Sequence, residues 1–318
     1  MNKEVIPIFF TIDEAYVPFA SVAIQSLIEN SSKKYNYKIF VIYQNIEKES
    51  IEKISKLKTV NCDIEFRPME NTLDVISDRE ENKLRCDYFT LTIFFRLFLA
   101  DMFPEYDKGL YLDSDIIVLA DIAELYNTNL ENNIIGACPD FSIQGPQVFY
   151  DYTKGSFGKD ITEYINSGIL VLNLKMMREK KFSQKFLYLL NKYHFDCVAP
   201  DQDYFNAMCT GKIKFLDECW DSMPNNNKKP LKNPKLIHYN LFDKPWCYDD
   251  IQYEEYFWKY AKKNEFYDEI VEFKNNYSDE QKASDKKCFN EILEKASTIP
   301  NSDVNFKKVH ETIESVRI

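Results

Sequence analysis

The N-terminal part of the chain alternates short apolar runs with amphipathic segments, and this alternation limits the fold more than any other feature. Val5–Phe10, Tyr37–Tyr43 and Cys62–Phe66 are apolar runs of strand length. Tyr16–Glu29 and Glu47–Leu57 carry apolar residues at the spacing of a helix that faces a core. Strands that alternate with helices predict an α/β fold with a doubly wound, mostly parallel sheet. In such sheets, ligands bind beyond the carboxyl ends of the strands.

The rest of the chain continues this pattern and then changes character. We predict further strands at Ile134–Cys138, Asn166–Leu174, Lys212–Leu216 and Lys235–Tyr239, and helices at Asp87–Ala100 and Lys175–His194. The polar, turn-rich stretch Pro139–Glu163 predicts a partly helical flap beside a site. From Asp249 onward we expect three helices, near 251–274, 278–296 and 303–315. We therefore predict a catalytic domain at 1–249 and a helical C-terminal extension at 250–318 that packs on it.

Two carboxylates stand one residue apart between apolar runs, in the stretch Gly109–Leu119. Residues i and i+2 of an extended chain point the same way, so Asp113 and Asp115 can present oxygens to one point. Two like charges so close repel unless a cation lies between them. A divalent ion with oxygen ligands, Mg²⁺ or Mn²⁺, is one interpretation. Two aspartates that face solvent at a strand end are the other.

Composition excludes several classes of function. The net charge of −11 argues against non-specific nucleic-acid binding, which relies on clustered Lys and Arg. The chain has only 7 glycines and no glycine-rich phosphate loop. Its eight cysteines are dispersed, which favours free thiols in a reducing compartment. Because we find neither a signal peptide nor an apolar run of membrane-spanning length, we expect a cytoplasmic protein without a membrane span.

Three single residues carry alternatives at this stage. Arg96 interrupts a buried helical pattern, and such an arginine either extends to the surface or points into the crevice towards a phosphate or an aspartate. Asp201 follows Pro200 and is placed as a helix N-cap. His238 closes the last predicted strand, where a hydrogen-bonded core histidine is the alternative to a metal ligand.

Six short segments, in this order along the chain, resemble glycosyltransferase family 8. That family comprises retaining nucleotide-sugar transferases, among them bacterial lipopolysaccharide galactosyltransferases and glycogenin. The resemblance covers roughly residues 5–250, and the tail after 250 carries no matching motif. The matching segments are Phe10-Thr11-Ile12-Asp13, Phe95-Arg96-Leu97, Tyr111-Leu112-Asp113-Ser114-Asp115, Asn166-Ser167-Gly168-Ile169-Leu170-Val171-Leu172-Asn173, Asp201-Gln202-Asp203 and His238-Tyr239 with Lys244-Pro245-Trp246.

The resemblance implies a GT-A fold, a UDP-sugar donor (UDP-glucose or UDP-galactose) and Mn²⁺, with Mg²⁺ as the alternative. It implies Asp113, Asp115 and His238 as metal ligands, and this mixed oxygen and nitrogen set suits Mn²⁺ better than Mg²⁺. The implied catalytic residues are Gln202, Asp201 and Lys244, the last stabilising the departing UDP. The implied donor-binding residues are Thr11 and Asp13 at the uridine, Arg96 and Lys244 near the diphosphate, Ser114 between the aspartates, and Asn166 and Asp140 near the sugar.

Two positions depart from the family pattern. Ala15 stands where an amide is common, and Leu241 stands where a glycine commonly lets the backbone approach the diphosphate. The leading interpretation is a retaining hexosyltransferase whose acceptor is a glycan, a lipid-linked molecule or a protein. The alternatives are a UDP-sugar hydrolase or self-glycosylating protein, a nucleotide-sugar-binding protein with weakened catalysis, and a metal-dependent phosphohydrolase. Neither the sugar nor the oligomeric state follows from the sequence.

Overall fold

The computed structural model describes residues 3–69, 91–225 and 228–318. The strands in these ranges are β1 (Val5–Ile12), β2 (Asn36–Tyr43), β3 (Cys62–Pro68), β4 (Gly109–Leu112), β5 (Ile116–Val118), β6 (Ile135–Ala137), β7 (Ile169–Leu172), β8 (Ile213–Phe215) and β9 (Leu236–His238). Seven of the strands described form one sheet in the order β3-β2-β1-β4-β7-β6-β8, and β5 pairs with β9 in a second sheet.

The helices of the described ranges flank this sheet. They are α1 (Val17–Asn30), α2 (Lys48–Ser55), α3 (Leu99–Met102), α4 (Ala123–Tyr126), α5 (Gln147–Phe157), α6 (Leu174–Glu179), α7 (Phe182–Tyr193), α8 (Pro200–Met208), α9 (Glu254–Ala261), α10 (Tyr267–Asn276), α11 (Asp279–Thr298) and α12 (Phe306–Thr312). Short 3₁₀ helices span Glu14–Tyr16, Leu91–Leu97, Ile161–Glu163, Glu218–Trp220 and Ile299–Asn301.

The sheet is mostly parallel, as the alternating sequence pattern predicts. β1 pairs in parallel with β2 and β4, β2 pairs in parallel with β3, and β6 pairs in parallel with β8. Only β7 runs antiparallel to both of its neighbours among the described strands. Along β1, Phe9 faces one hydrophobic cluster while Ile8 and Phe10 face the other. Both faces of the strand are therefore buried, which explains its continuous apolar sequence.

The small second sheet brings the end of β9 to the segment that follows β4. β4 ends at Leu112, and β5 begins at Ile116 after a short bend. In the antiparallel pairing of β5 with β9, Ile116 lies opposite His238. This register places His238 beside Asp115, although the two residues are far apart in the sequence.

The C-terminal segment packs against both faces of the sheet. Phe257 on α9 and Ile270 on α10 belong to the same hydrophobic cluster as Ile8. Ile292 on α11 and Phe306 belong to the cluster of Phe9. The assignment of residues 250–318 to a separate domain stays a prediction. Among the described residues, we find no helix that is both long enough and apolar enough to cross a bilayer.

Several predicted helices are wrong in their extent. Residues 87–90 of the helix predicted at Asp87–Ala100 lie outside the described ranges; Leu91–Leu97 is a 3₁₀ helix, and α3 begins only at Leu99. Lys175–His194 is broken into α6 and α7, because Lys181 adopts left-handed backbone angles with φ 54°. The helix predicted near 251–274 is likewise two, α9 and α10. Apolar spacing alone does not reveal such breaks.

Two smaller expectations also change. The predicted flap at Pro139–Glu163 contains α5, whose Phe149 and Tyr152 are buried in the core, so the helix is a packed element. The prediction of free thiols is confirmed for six described cysteines and is wrong for Cys288, which is disulfide-bonded. Cys86 lies outside the described residues.

The N-terminus of α8 differs from the predicted cap. Ala199 is the N-cap residue, and Asp201 lies within the first turn. No side chain caps the helix, but Oδ2 of Asp203 accepts hydrogen bonds from the backbone N–H groups of Val198 and Ala199, which precede it, at 2.9 and 3.0 Å. The hydroxyl groups of two buried tyrosines, Tyr152 and Tyr164, also donate to the Asp203 carboxylate. This buried carboxylate therefore fixes the start of α8 and leaves the Asp201 side chain to other partners.

Replacing Asp203 by alanine should destabilise the protein strongly. The change removes the acceptor of four buried donors, and unsatisfied buried donors cost roughly 1–3 kcal/mol each, so we expect a loss of at least about 3 kcal/mol. Urea denaturation followed by circular dichroism measures it. Asp196→Ala, at an exposed position in the preceding loop, is the matched control. Equal stability of the two variants would contradict this account of α8.

Candidate active site

Three predicted metal ligands converge at the end of β4. One ligand atom each from Asp113, Asp115 and His238 lies within 4.8 Å of the others. His238 Nε2 is 3.3 Å from Asp115 Oδ1 and 3.9 Å from Asp113 Oδ2. Among the described residues, this is the one group of three or more potential metal ligands so close together. Two carboxylates and an imidazole form a donor set that suits Mn²⁺ and related cations.

The histidine is oriented by a fourth residue. Its Nδ1 lies 3.0 Å from Oδ1 of Asp221, which is fully buried. A carboxylate on one ring nitrogen directs the other nitrogen towards a metal, an arrangement common in metal sites. His238 Nε2 is buried without a hydrogen-bond partner, because its contact with Asp115 lacks hydrogen-bond geometry. A buried ring nitrogen aimed at two carboxylates fits a bound divalent cation.

Mutual electrostatics shift the pKa values of this pair. Burial raises the pKa of the Asp221 carboxyl to about 6, although the hydrogen bond from His238 opposes the rise. Burial alone would lower the pKa of His238, but the carboxylates of Asp115 and Asp221 outweigh it and raise the pKa to about 10. In the metal-free protein the imidazole is therefore protonated at neutral pH and neutralises part of the acidic cluster.

Two further cations pair with the aspartates. Arg96 Nη2 lies 2.9 Å from Asp113 Oδ1, and its Nε lies 3.1 Å from Asp201 Oδ2. Lys244 Nζ lies 2.5 Å from Asp115 Oδ2. Although burial opposes ionisation of Asp115, the charges of Lys244 and His238 hold its pKa well below the usual range. Of the two alternatives for Arg96, the structure shows the one in which it points into the crevice and meets aspartates.

Gly168 makes room for the cluster. A Cβ atom at this position would lie 2.5 Å from His238 Cε1 and 2.6 Å from Asp113 Oδ2. The backbone O of Gly168 accepts a hydrogen bond from Asp113 N at 2.7 Å. Asn166 Oδ1 in turn accepts from Gly168 N at 2.7 Å, which fixes the turn before β7. Only a residue without a side chain lets the backbone approach the ligands this closely.

The residues predicted near the donor sugar form one buried network. Ser167 Oγ donates to Asp201 Oδ2 at 2.9 Å, and Ser167 N donates to Gln202 Oε1 at 3.1 Å. Gln202 Nε2 donates to Asp140 Oδ2 at 2.9 Å. Asp201 joins this network to Arg96. Both ends of the Gln202 amide are thus hydrogen-bonded, and the orientation of its side chain is fixed.

The residues predicted at the uridine lie at the carboxyl end of β1. Thr11 lies within β1, which extends beyond the predicted strand Val5–Phe10. Its hydroxyl is 2.9 Å from the Tyr111 hydroxyl, which donates to Asp113 Oδ1 at 2.7 Å. Asp13 caps the following 3₁₀ helix by accepting from Tyr16 N at 3.1 Å. Ser114 is buried between the two aspartates along the chain.

Leu241 has backbone angles that favour glycine. Its φ of 60° lies in the left-handed region, which costs a non-glycine residue of order 1–3 kcal/mol. Its backbone N–H is bound by Asn240 Oδ1 at 2.9 Å. The loop thus keeps the glycine-type conformation while carrying a leucine side chain.

Sequence reasoning gave no role to three participants in the site. Asp221 carries no motif, because only the tertiary contact of the Ser222 backbone with β9 brings it to His238. The sequence predicts Tyr111 only as a strand residue, yet the Arg96 guanidinium carbon lies 4.3 Å from the centroid of its ring. Gly168 lay inside a quoted segment without a role. The scarcity of glycine in this chain was the signal that could have marked it.

Comparison with known proteins identifies relatives over most of the chain. The family model described as Glycosyl transferase family 8 matches residues 7–250. A Haemophilus influenzae protein that carries the name of a glycosyltransferase is 32% identical over 248 residues, which are 75% of this chain and 72% of that protein. The lipopolysaccharide 1,2-glucosyltransferase of Escherichia coli K12 is 26% identical over 302 residues, 87% of this chain and 85% of that enzyme.

Solved structures show the same fold. The galactosyltransferase LgtC, in complex with donor and acceptor sugar analogues, has a TM-score of 0.66 at 18% identity and covers 88% of this chain and 100% of that chain. The glycosyltransferase GlyE of Streptococcus pneumoniae has a TM-score of 0.61 at 23% identity, over 80% of this chain and 60% of that chain. The fold shared with LgtC is GT-A, as predicted.

Replacing Gly168 by alanine should weaken the binding of a divalent cation to this cluster, with Mn²⁺ as the probe. The added methyl group would overlap His238 and Asp113, so the ligands must separate, and we expect a loss of at least about 100-fold in affinity, the upper end of the effect of disturbing residues around a metal site. The electron paramagnetic resonance signal of free Mn²⁺ measures it. Gly145→Ala, where a Cβ would meet nothing within 4 Å, is the matched control. Unchanged Mn²⁺ affinity in Gly168→Ala would contradict the assigned cluster.

Binding of Mn²⁺ should release a proton and strengthen as pH rises. His238 is protonated in the metal-free protein up to a pKa of about 10, and an imidazole must be neutral to bind a metal. Between pH 7 and 9 we therefore expect the affinity to rise by up to about tenfold per pH unit. Calorimetry in buffers of different ionisation enthalpy measures the released proton. His310→Gln should keep this dependence, and a pH-independent affinity in the unaltered protein would exclude His238 as a ligand.

Proposed function

This chain belongs to glycosyl transferase family 8 and is a glycosyltransferase, and we propose that it transfers glucose or galactose from a UDP-sugar to an acceptor hydroxyl with Mn²⁺ bound. The observation that carries this proposal is the convergence of Asp113, Asp115 and His238 beside Lys244. A GT-A fold with such a cluster at its strand ends suits a sugar nucleotide whose diphosphate needs a cation. The cytoplasmic location stays a prediction.

We assign the metal-binding role to Asp113, Asp115 and His238. When bound, Mn²⁺ would neutralise charge on the diphosphate of the donor and so make UDP a better leaving group. Lys244 supplies a second positive charge from the protein itself, and it now pairs with Asp115. An ammonium group so placed stabilises negative charge that develops on the leaving phosphate.

Arg96 and Asp201 hold the sugar side of the site. Their ion pair is buried and is joined to Asn166 and Gln202 through the turn before β7. We propose that the Asp201 carboxylate orients hydroxyl groups of the donor sugar. Thr11 and Asp13 are proposed to bind the uridine half, with Asp140 supporting Gln202 from behind.

Retention of configuration is proposed to proceed by attack from the same face as the leaving group. A nucleophile on the opposite face would be the alternative, and the family resemblance implies Gln202 for that position. An amide is a weak nucleophile, and the Gln202 side chain is hydrogen-bonded to Ser167 N through its oxygen and to Asp140 through its nitrogen. We therefore assign to Gln202 the positioning of the sugar, with the leaving phosphate as the base that accepts the acceptor proton.

The acceptor is proposed to enter a cavity beside the site. This cavity has a volume of about 650 Å³ and is lined by Ser142, Met223, Asn240, Phe242 and Phe289 among others. Asn240 Nδ2 donates to Ser142 Oγ at 3.1 Å, so the loop after β9 and the loop after β6 meet there. Aromatic rings together with amide and hydroxyl groups suit a glycan acceptor, and a lipid-linked or protein acceptor bearing a sugar would present the same chemistry.

Release of UDP from UDP-glucose and UDP-galactose tests the proposed function. With Mn²⁺ and without acceptor, we expect slow hydrolysis of at least one donor. The rate of this hydrolysis should fall about 10²–10³-fold in the double variant Asp113→Asn/Asp115→Asn, which is the loss typical of removing one group that stabilises charge in the transition state. EDTA should act likewise. The control is Asp107→Asn, which removes one exposed carboxylate away from the site.

The same assay separates the competing enzymes. Hydrolysis that persists undiminished in EDTA and in the double variant would overturn the assignment of the metal site. Mass spectrometry of the protein after incubation with donor distinguishes transfer to itself from hydrolysis, because each transferred hexose adds its mass to the chain. Tight UDP binding without turnover of either donor would support the nucleotide-sugar-binding protein instead.

A further inference from the structure

A cavity of about 400 Å³ adjoins the metal-ligand cluster and is lined partly by the C-terminal segment. Asp115 and Lys244 belong to its lining, so it opens onto the site described above. Its volume falls in the range of small-molecule sites, roughly 300–1,000 Å³. The lining also includes Gln281, Ser284 and Asp285 of helix α11, which lies beyond the residues matched by the family model.

The walls of this cavity are largely aromatic on the side of the catalytic residues. Tyr16, Phe19 and Trp246 line it; the rings of Phe19 and Trp246 are buried and stack on each other at 4.2 Å, so the half-buried ring of Tyr16 has more exposed surface than either. Ala15 lies in the same lining and contributes only a methyl group. Flat aromatic surfaces suit a nucleobase, but a base and a ribose also need hydrogen-bond partners. Helix α11 contributes such groups to this cavity.

Hydrogen bonds from α10 and α11 join these two helices to the loop that carries Lys244. Asp285 Oδ2 accepts from the hydroxyl of Tyr248 at 2.7 Å and from that of Tyr277 at 2.6 Å. Lys274 Nζ donates to the backbone oxygens of Pro245 and Tyr248 at 2.8 and 2.7 Å. A capping box with Ser278 as the N-cap defines the start of the helix. The polar face of α11 is therefore a preformed part of the cavity.

The charges decide which half of a nucleotide faces α11. A carboxylate accepts hydrogen bonds and repels phosphate oxygens, so Asp285 disfavours the diphosphate. The diphosphate is instead attracted by Lys244 and by the cation that the Asp113–Asp115–His238 cluster would bind. The uncharged nucleoside half carries the donors that suit Asp285, namely the ribose hydroxyls and the N3–H of uracil. Ser284, one residue before Asp285, is exposed to the cavity and both donates and accepts.

We propose that α11 is part of the donor site, and that Ser284 and Asp285 bind the nucleoside half of the nucleotide sugar through hydrogen bonds. This inference rests on the proposed function, because it assumes a nucleotide donor. It assigns a role in donor recognition to the C-terminal segment, which supplies polar groups where Ala15 supplies none.

Comparing two ligands distinguishes binding of the nucleoside half from binding of the phosphate half. We would titrate the full-length protein with UDP and with inorganic pyrophosphate by calorimetry in the presence of Mn²⁺. Asp285→Asn should raise the Kd of UDP about fivefold, the loss expected for one hydrogen bond. Ser284→Leu, which fills the cavity from a helical position that tolerates leucine, should raise it at least about tenfold. The Kd of pyrophosphate should change less than about twofold, since pyrophosphate has no nucleoside.

The matched control is Ser297→Leu, at an exposed position on the same helix, which should leave both affinities unchanged. Unaltered UDP affinity in both test variants would overturn the inference. An equal loss of UDP and pyrophosphate affinity would overturn it too, because α11 would then act only by holding the Lys244 loop. Failure of the unaltered protein to bind UDP would instead overturn the proposed donor, so the two failures are distinguishable.

Discussion

The whole site depends on the neutralisation of carboxylates that are partly or fully removed from water. Asp201 is buried, and Asp113 and Asp115 are partly buried, in a crevice where an unpaired charge would be expensive. Arg96 pairs with Asp113 and Asp201. Lys244 pairs with Asp115. Forming each ion pair removes water from both partners, which costs free energy. The main effect of the pairs is therefore to make the burial of these charges in this one arrangement possible. Removing one partner would leave the other buried and uncompensated.

These pairs also connect elements that the sheet alone would not hold together. Arg96 comes from a 3₁₀ helix, Asp201 from α8, His238 from β9 and Lys244 from the loop that follows it. Gly168 lets the turn before β7 approach the same point. The cations are therefore placed before any ligand arrives. A site prepared in this way can accept a divalent cation and an anionic diphosphate together, since the added charges largely cancel.

Sequence analysis predicted the strands and helices that follow from local periodicity. It failed for features that depend on contacts between residues distant in the sequence. The strands around β1 and the helix α1 follow from apolar spacing, and the family is confirmed from short motifs in the right order. The break at Lys181 was not predictable, because apolar spacing carries no information about the left-handed backbone angles of a single lysine. Asp201 was predicted as an N-cap, but it lies in the first turn of α8 and pairs with Arg96. Asp221 meets His238 only through strand pairing and therefore had no local signal.

The strain at Leu241 links the site to the C-terminal helices. Leu241 lines both cavities, and its left-handed backbone must be maintained by contacts elsewhere in the loop. Lys274 of α10 provides such contacts, since its Nζ donates to the backbone oxygens of Pro245 and Tyr248. Helix α10 thus restrains the loop that carries Lys244, whose Nζ pairs with Asp115. A leucine at position 241 is therefore compatible with an intact site, because the restraint on the loop comes from α10.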